Sequence, residues 1–211
     1  MNTDKLIATL AADGTQDASP MRMLLWATLA GIAVTATLFF ILLGPRPDFM
    51  SATHSWRFVF KFVVSLALAA SSALLVARAA RPQSARGPAD AVLCLAPVLL
   101  LAAVIVELAV MPVDTWMPRL VGHNARICMF FIPLLSFGPL ALLLFALRSG
   151  APASPARAGA LAGLMAGGLG AAFYAAHCPD DSPLFVAVWY TIAVTFVTVV
   201  GAALGRRGLR W

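Results

Sequence analysis

Cysteine and histidine number three each in this 211-residue chain, and most of them sit in polar interruptions between apolar stretches. The densest interruption is His177-Cys178-Pro179-Asp180-Asp181-Ser182-Pro183. A second thiol, Cys128, opens an earlier apolar stretch, with His123 just upstream. Two thiols at one membrane face can form a disulfide, work as a thiol switch or bind a soft metal. Cys128, Cys178, His123 and His177 together supply a Cys₂His₂ set of the kind that zinc and related ions accept. There is no CxxC, no HExxH and no histidine pair at i, i+4, so metal binding, a redox-sensitive pair and inert cysteines all stay open. Glu107 is the one acidic residue well inside an apolar run. An intramembrane carboxylate is a functional candidate, but Glu107 also lies close to Pro112, where Arg119, Arg126 or a hydroxyl could pair with it.

The elements that must position these residues are membrane spans. The hydrophobic fraction is 61% and the charged fraction 11%, far above the roughly 45–50% apolar content of soluble domains. Runs at 23–43, 58–77, 91–112, 127–147, 158–176 and 184–204 each approach the ~20 residues needed to cross a bilayer. They lack the period-two alternation of barrel strands, so the expected fold is all-α, a polytopic membrane protein of six transmembrane helices. The expected organisation is an N-terminal tail, 1–22, ahead of one membrane domain, 23–211. The first run exceeds a signal-peptide core of ~7–15 residues and is expected to be retained.

The formal charge of +6 sorts by loop rather than marking nucleic-acid binding. Lys5, Arg22, Arg78, Arg81, Arg86, Arg148, Arg157, Arg206, Arg207 and Arg210 fall on the side of the termini; Arg46, Arg57, Lys61, Arg119 and Arg126 fall on the other. The positive-inside bias then predicts both termini in the cytoplasm, with Lys61 and Arg126 snorkelling from span edges. Spans four and five, joined by a short inner turn, form a hairpin. Twenty residues separate Leu147 from Cys128, and Ala158 from His177, counted inclusively. Either count spans about 30 Å of helix, which places Cys128 and Cys178 at similar height on the outer face. That level placement permits a disulfide without requiring one.

In the tail, Asn2-Thr3-Asp4 offers a helix cap and Leu6, Ile7 and Leu10 form an apolar stripe that Asp13-Gly14 ends. Gly159, Gly163 and Gly167, with Gly201 and Gly205, are spaced for close helix packing in lipid, whereas Pro133 and Pro139 should bend span four. Cys94 reads as an apolar packing residue. No haem-ligating histidine pair, quinone-linked CxxC or paired intramembrane carboxylates are present, and the chain is not expected to be an enzyme.

Cys178-Pro179-Asp180-Asp181-Ser182-Pro183-Leu184-Phe185-Val186-Ala187-Val188-Trp189-Tyr190, the closing Leu209-Arg210-Trp211, Gly44-Pro45-Arg46-Pro47-Asp48 and the Thr3-Asp4-x-Leu6-Ile7 start together resemble the negative regulator of sigma F family over the whole chain. The resemblance implies a multi-pass anti-sigma factor of the bacterial inner membrane that sequesters an extracytoplasmic-function sigma factor at the cytoplasmic face. It implies that Leu6, Ile7 and Leu10 contact that sigma factor. It also implies that Cys128 and Cys178 match an outward cysteine pair that senses oxidative or heavy-metal stress. The expected partners are the sigma factor and the lipid bilayer, with no direct nucleic-acid contact; association into a homo-oligomer through the glycine-lined helices stays open. No cofactor is expected, a soft metal ion entering only as a signal. The competing reading is a transporter or channel of the inner membrane for a small solute or metal, with Glu107 and the proline-bent fourth span lining its path.

Overall fold

The computed structural model describes Thr3, Lys5 and residues 19–81 and 87–209. Within them, six helices are long and apolar enough to cross a membrane: α1 (Pro20–Leu42), α2 (Trp56–Ala79), α3 (Pro88–Val110), α4 (Ala125–Leu147), α5 (Pro155–Ala175) and α6 (Pro183–Gly208). No strand occurs among the described residues. The predicted spans match these helices with ends moved by a few residues, the ordinary uncertainty of helix termini. Leu6, Ile7 and Leu10 lie outside the described residues.

Helix α5 is the hub, with 83% of its most apolar window buried, and it packs against α2, α4 and α6. Its composition explains the position, because a helix rich in Gly and Ala presents little side chain and lets three neighbours approach. A Cβ at Gly159 would collide with the carbonyl of Gly201, one at Gly163 would lie 2.7 Å from the Thr198 Cα, and one at Gly168 would lie 2.8 Å from the Ala69 nitrogen. Helix α1 packs against α4, and α3 attaches at the rim, beside α2, with only 17% of its window buried. Large apolar side chains such as Phe40, Ile41, Leu101, Ile105 and Val199 remain exposed around the bundle. In water that perimeter would be a liability; in a bilayer it is the solvent-matched surface.

Pro133 and Pro139 lie inside α4. Proline at 139 removes the N–H that would bond the carbonyl of Leu135. The Thr35 hydroxyl of α1 donates to that carbonyl instead, at 3.0 Å, the kind of inter-helix repair that makes proline tolerable in lipid. The same proline packs against Gly31, where a Cβ would come within 2.9 Å of its ring.

Two apolar clusters fill the bundle. One is built around Leu140, Leu143, Leu147, Ala162 and Ala166. The other holds Cys128, Ile132, Leu135, Tyr174, Cys178, Phe185 and Tyr190. Cys94 departs from the packing role expected of it: it is exposed, at the end of the 3-10 turn Pro88–Cys94 that opens α3. The reason is that α3 lies at the rim, where one side of the helix has no protein neighbour.

Candidate functional site

Three loops meet at the end of the bundle that carries Cys178: residues 44–55 between α1 and α2, 111–124 between α3 and α4, and 176–182 between α5 and α6. The last is the keystone. Its sequence explains how α6 begins, since Ser182 is the N-cap, its hydroxyl accepting from the Leu184 N–H at 3.3 Å, and Pro183 occupies the first helical position, where its missing donor costs nothing. Asp180 does the same for a different helix. Its carboxylate accepts the backbone N–H groups of His123 at 3.0 Å and Asn124 at 2.8 Å, placing a negative charge at the N-terminus of α4.

Asp181 faces α2. Its carboxylate takes the Lys61 ammonium at 2.6 Å and the Arg46 guanidinium at 3.0 Å. The Lys61 Nζ also donates to the Cys178 carbonyl at 2.7 Å and sits 5.3 Å from the Phe58 ring centroid. Lys61 is 0% exposed. The snorkelling expected of it is therefore corrected: the lysine turns inward because Asp181 and the Cys178 carbonyl, well over a hundred positions away in sequence, provide its acceptors. Arg46 also pairs with Asp48 at 2.6 Å. Asp48 first, and Asp181 after it, hold the Arg46 guanidinium well above the usual arginine range, while Arg46 keeps the Asp48 carboxyl below the usual carboxylate range.

Glu107 forms a second buried charge centre, 1% exposed. It binds Arg57 at 2.8 Å and Arg119 at 3.2 Å, and the Ser182 hydroxyl donates to it at 3.4 Å. The expected arginine at 119 and the expected hydroxyl are both present. Arg57 is an addition, brought in by the packing of α2 against α3. Glu107 thereby ties α3 to α2 and to the Cys178 loop.

Both thiols are fully buried in the same apolar cluster. No disulfide joins them; each is free. Burial pushes the Cys178 thiol above its ordinary range, against the opposing pull of the Lys61 ammonium. Among the described residues, the phenol hydroxyl of Tyr190, in the same cluster, has no hydrogen-bond partner. Histidines do not complete a metal set here. The His177 Nδ1 lies 3.0 Å from the Gly44 carbonyl, and the His123 side chain is 96% exposed with its Nδ1 3.6 Å from Asp180. Among the described residues, no group of three or more His, Cys, Asp or Glu side chains is placed to hold a metal ion.

Gly122 lets the loops close. Its φ of +59° suits a residue without Cβ, and a Cβ there would run into the Phe185 ring and the Asp180 carboxylate. Trp189 completes the lock by donating its indole N–H to the Leu120 carbonyl at 2.9 Å. Sequence reasoning names Lys61, Asp181, Arg46 and Arg57 but gives none of them a partner, and it is their pairing that builds the site. The signal for Lys61 was an ionisable residue inside an otherwise apolar run; for the others, hydropathy carries none.

A family described as negative regulator of sigma F matches residues 10–211. The anti-sigma-F factor NrsF of Caulobacter vibrioides is 35% identical over a 217-residue alignment that covers 100% of both chains. The probable anti-sigma-F factor NrsF of Azospira oryzae is 32% identical, again with 100% of both covered. No solved structure matches the chain.

Proposed function

The chain belongs to the negative regulator of sigma F family, and from that premise we propose that it is a membrane-bound anti-sigma factor whose trigger is the buried thiol pair Cys128 and Cys178. Its role is regulatory rather than catalytic. The bundle sits in the bacterial inner membrane with both termini in the cytoplasm, as the arginine bias predicts. The tail, through Leu6, Ile7 and Leu10, captures an extracytoplasmic-function sigma factor there.

The observation that carries this reading is the build of the Cys178 loop. Two thiols lie in one apolar cluster with a loop tied to the α1–α2 loop, α2, α3 and the start of α4 at once, through Arg46, Lys61, Glu107 and the backbone of His123 and Asn124. A change in chemistry at the thiols therefore reaches most of the bundle. Oxidation removes one hydrogen from each thiol, joins the sulfurs and passes two electrons to a peroxide-class oxidant, which leaves as alcohol plus water or, from hydrogen peroxide, as two waters. A soft metal would instead take both sulfurs as thiolates, releasing two protons. Because both sulfurs start buried and unbonded, either event favours a second conformation of the loop, and the tail lets the sigma factor go in that state.

The double replacement Cys128→Ser and Cys178→Ser is expected to keep sigma capture while abolishing induction by oxidants and soft metals, read by transcription from a sigma-dependent promoter. Full induction in that variant sinks the sensing role. In the same assay, deletion of residues 1–13 should give constitutive transcription; continued repression would move the capture site to the loops.

A further inference from the structure

Thiols that no water touches react slowly, so something must decide how often the Cys178 segment opens. Lys61, one of the ties of that loop, is the candidate for setting that rate. A charged side chain that is 0% exposed within a membrane helix is a costly feature that needs its partners. Those partners are both on the loop: the Asp181 carboxylate at 2.6 Å and the Cys178 carbonyl at 2.7 Å, with the Asp180 carbonyl at 3.5 Å. Lys61 thus grips the residue that carries the thiol and the residue three positions beyond it, and apart from the Phe58 ring at 5.3 Å its ammonium has no other partner among the described residues. Lifting the loop would leave that ammonium buried and unpaired, which penalises the open state. Arg46 also takes Asp181 at 3.0 Å and the Cys178 carbonyl at 3.4 Å, but it keeps Asp48 as a partner when the loop lifts; Ser182 on Glu107 and Asp180 on the start of α4 close the same segment from the other sides, through one weaker hydroxyl contact and through backbone groups.

We propose that Lys61 and Asp181 are positioning residues for thiol sensing: their ion pair is the latch that keeps the Cys178 segment down and sets the threshold at which its thiol can react. The proposal rests on the thiol-sensing reading for its biological meaning, but its physical content is burial of Cys178.

The test uses the full chain in intact cells, with Cys94 and Cys128 replaced by serine so that Cys178 is the sole thiol, and a membrane-impermeant maleimide as probe. Asp181→Asn, a change in the loop that leaves every membrane helix intact, should raise the labelling rate more than about tenfold, as loss of the partner of a buried charge requires. Lys61→Met should do the same, Lys61→Arg should restore slow labelling, and the double variant Lys61→Met with Asp181→Asn should label no faster than the faster single variant. Labelling of Asp181→Asn at the parental rate overturns the latch, as do multiplying effects in the double variant or a failure of Lys61→Arg to rescue. Should Lys61→Met fail to accumulate in the membrane, the Asp181→Asn arm decides by itself. Sigma-dependent transcription, measured separately in Asp181→Asn with all cysteines present and under a peroxide dose too low to induce the parent, keeps the two readings apart: faster labelling with silent transcription supports the latch and rejects thiol sensing.

Discussion

The seam between α5 and α6 and the seam between the Cys178 loop and α2–α3 are both close contacts, yet they are made of opposite materials. Along the first, Gly159, Gly163, Gly201 and Gly205 bring backbone against backbone, and a Cβ on Gly205 would lie 2.6 Å from the Pro155 carbonyl. Along the second, Lys61, Asp181, Arg57, Glu107 and Arg119 bring charge against charge. In lipid the apolar effect gives helices no reason to prefer one another over acyl chains, so association depends on tight packing or on polar groups that have no other partner. This bundle uses each where it suits. A glycine seam has one best fit and no switchable element, which makes it a fixed axle. An ion-pair seam can exchange its partners for water when a loop lifts, which makes it suited to the end that must respond.

That contrast can be broken in graded steps. Gly159→Val should be the most damaging change, because the added carbons meet the Gly201 carbonyl and the backbone cannot retreat; we expect a loss of about 3 kcal/mol, read as a lower midpoint in denaturant-driven unfolding from detergent micelles. Tolerance of valine there would show that the axle is looser than its geometry. Glu107→Ala leaves Arg57 and Arg119 without their carboxylate. Their side chains are 24% and 33% exposed and can turn partly to water, so we expect about 2 kcal/mol rather than the full cost of a buried orphan charge. Glu107→Gln, which keeps the shape and hydrogen-bonding atoms, should cost less than Glu107→Ala. The smallest effect belongs to Thr35→Val, which removes the hydroxyl repairing the Leu135 carbonyl above Pro139 and should cost about 1 kcal/mol. A loss as large as that of Glu107→Ala would mean that the α1–α4 contact depends on that one bond.

Much of the scaffold was legible in the chain. Six apolar runs become six helices because lipid leaves the backbone no other way to satisfy its hydrogen bonds within a segment. The glycine spacing marks the axle because a missing side chain is a local property. Ser182-Pro183 announces the start of α6, and Gly44-Pro45 follows the end of α1, Gly44 adopting a φ of +68°. The candidate site was legible in part. Cys128 and Cys178 enter one cluster, but whether they would be bonded, and whether His123 and His177 would join them, depended on side-chain directions that spacing does not carry.

The sequence alone determined what is set within a helical turn or a span: helix number, ends, the close-packed seam and the side to which charge is biased. The tertiary structure decided what depends on who covers whom. Lys61 is buried because Asp181 lies across the bundle to meet it, Glu107 has Arg57 because α2 runs beside α3, and Cys94 is exposed because α3 sits at the rim. Burial and charge pairing are properties of neighbours far apart in the chain, and hydropathy, which reads each residue with those next to it, has no access to them.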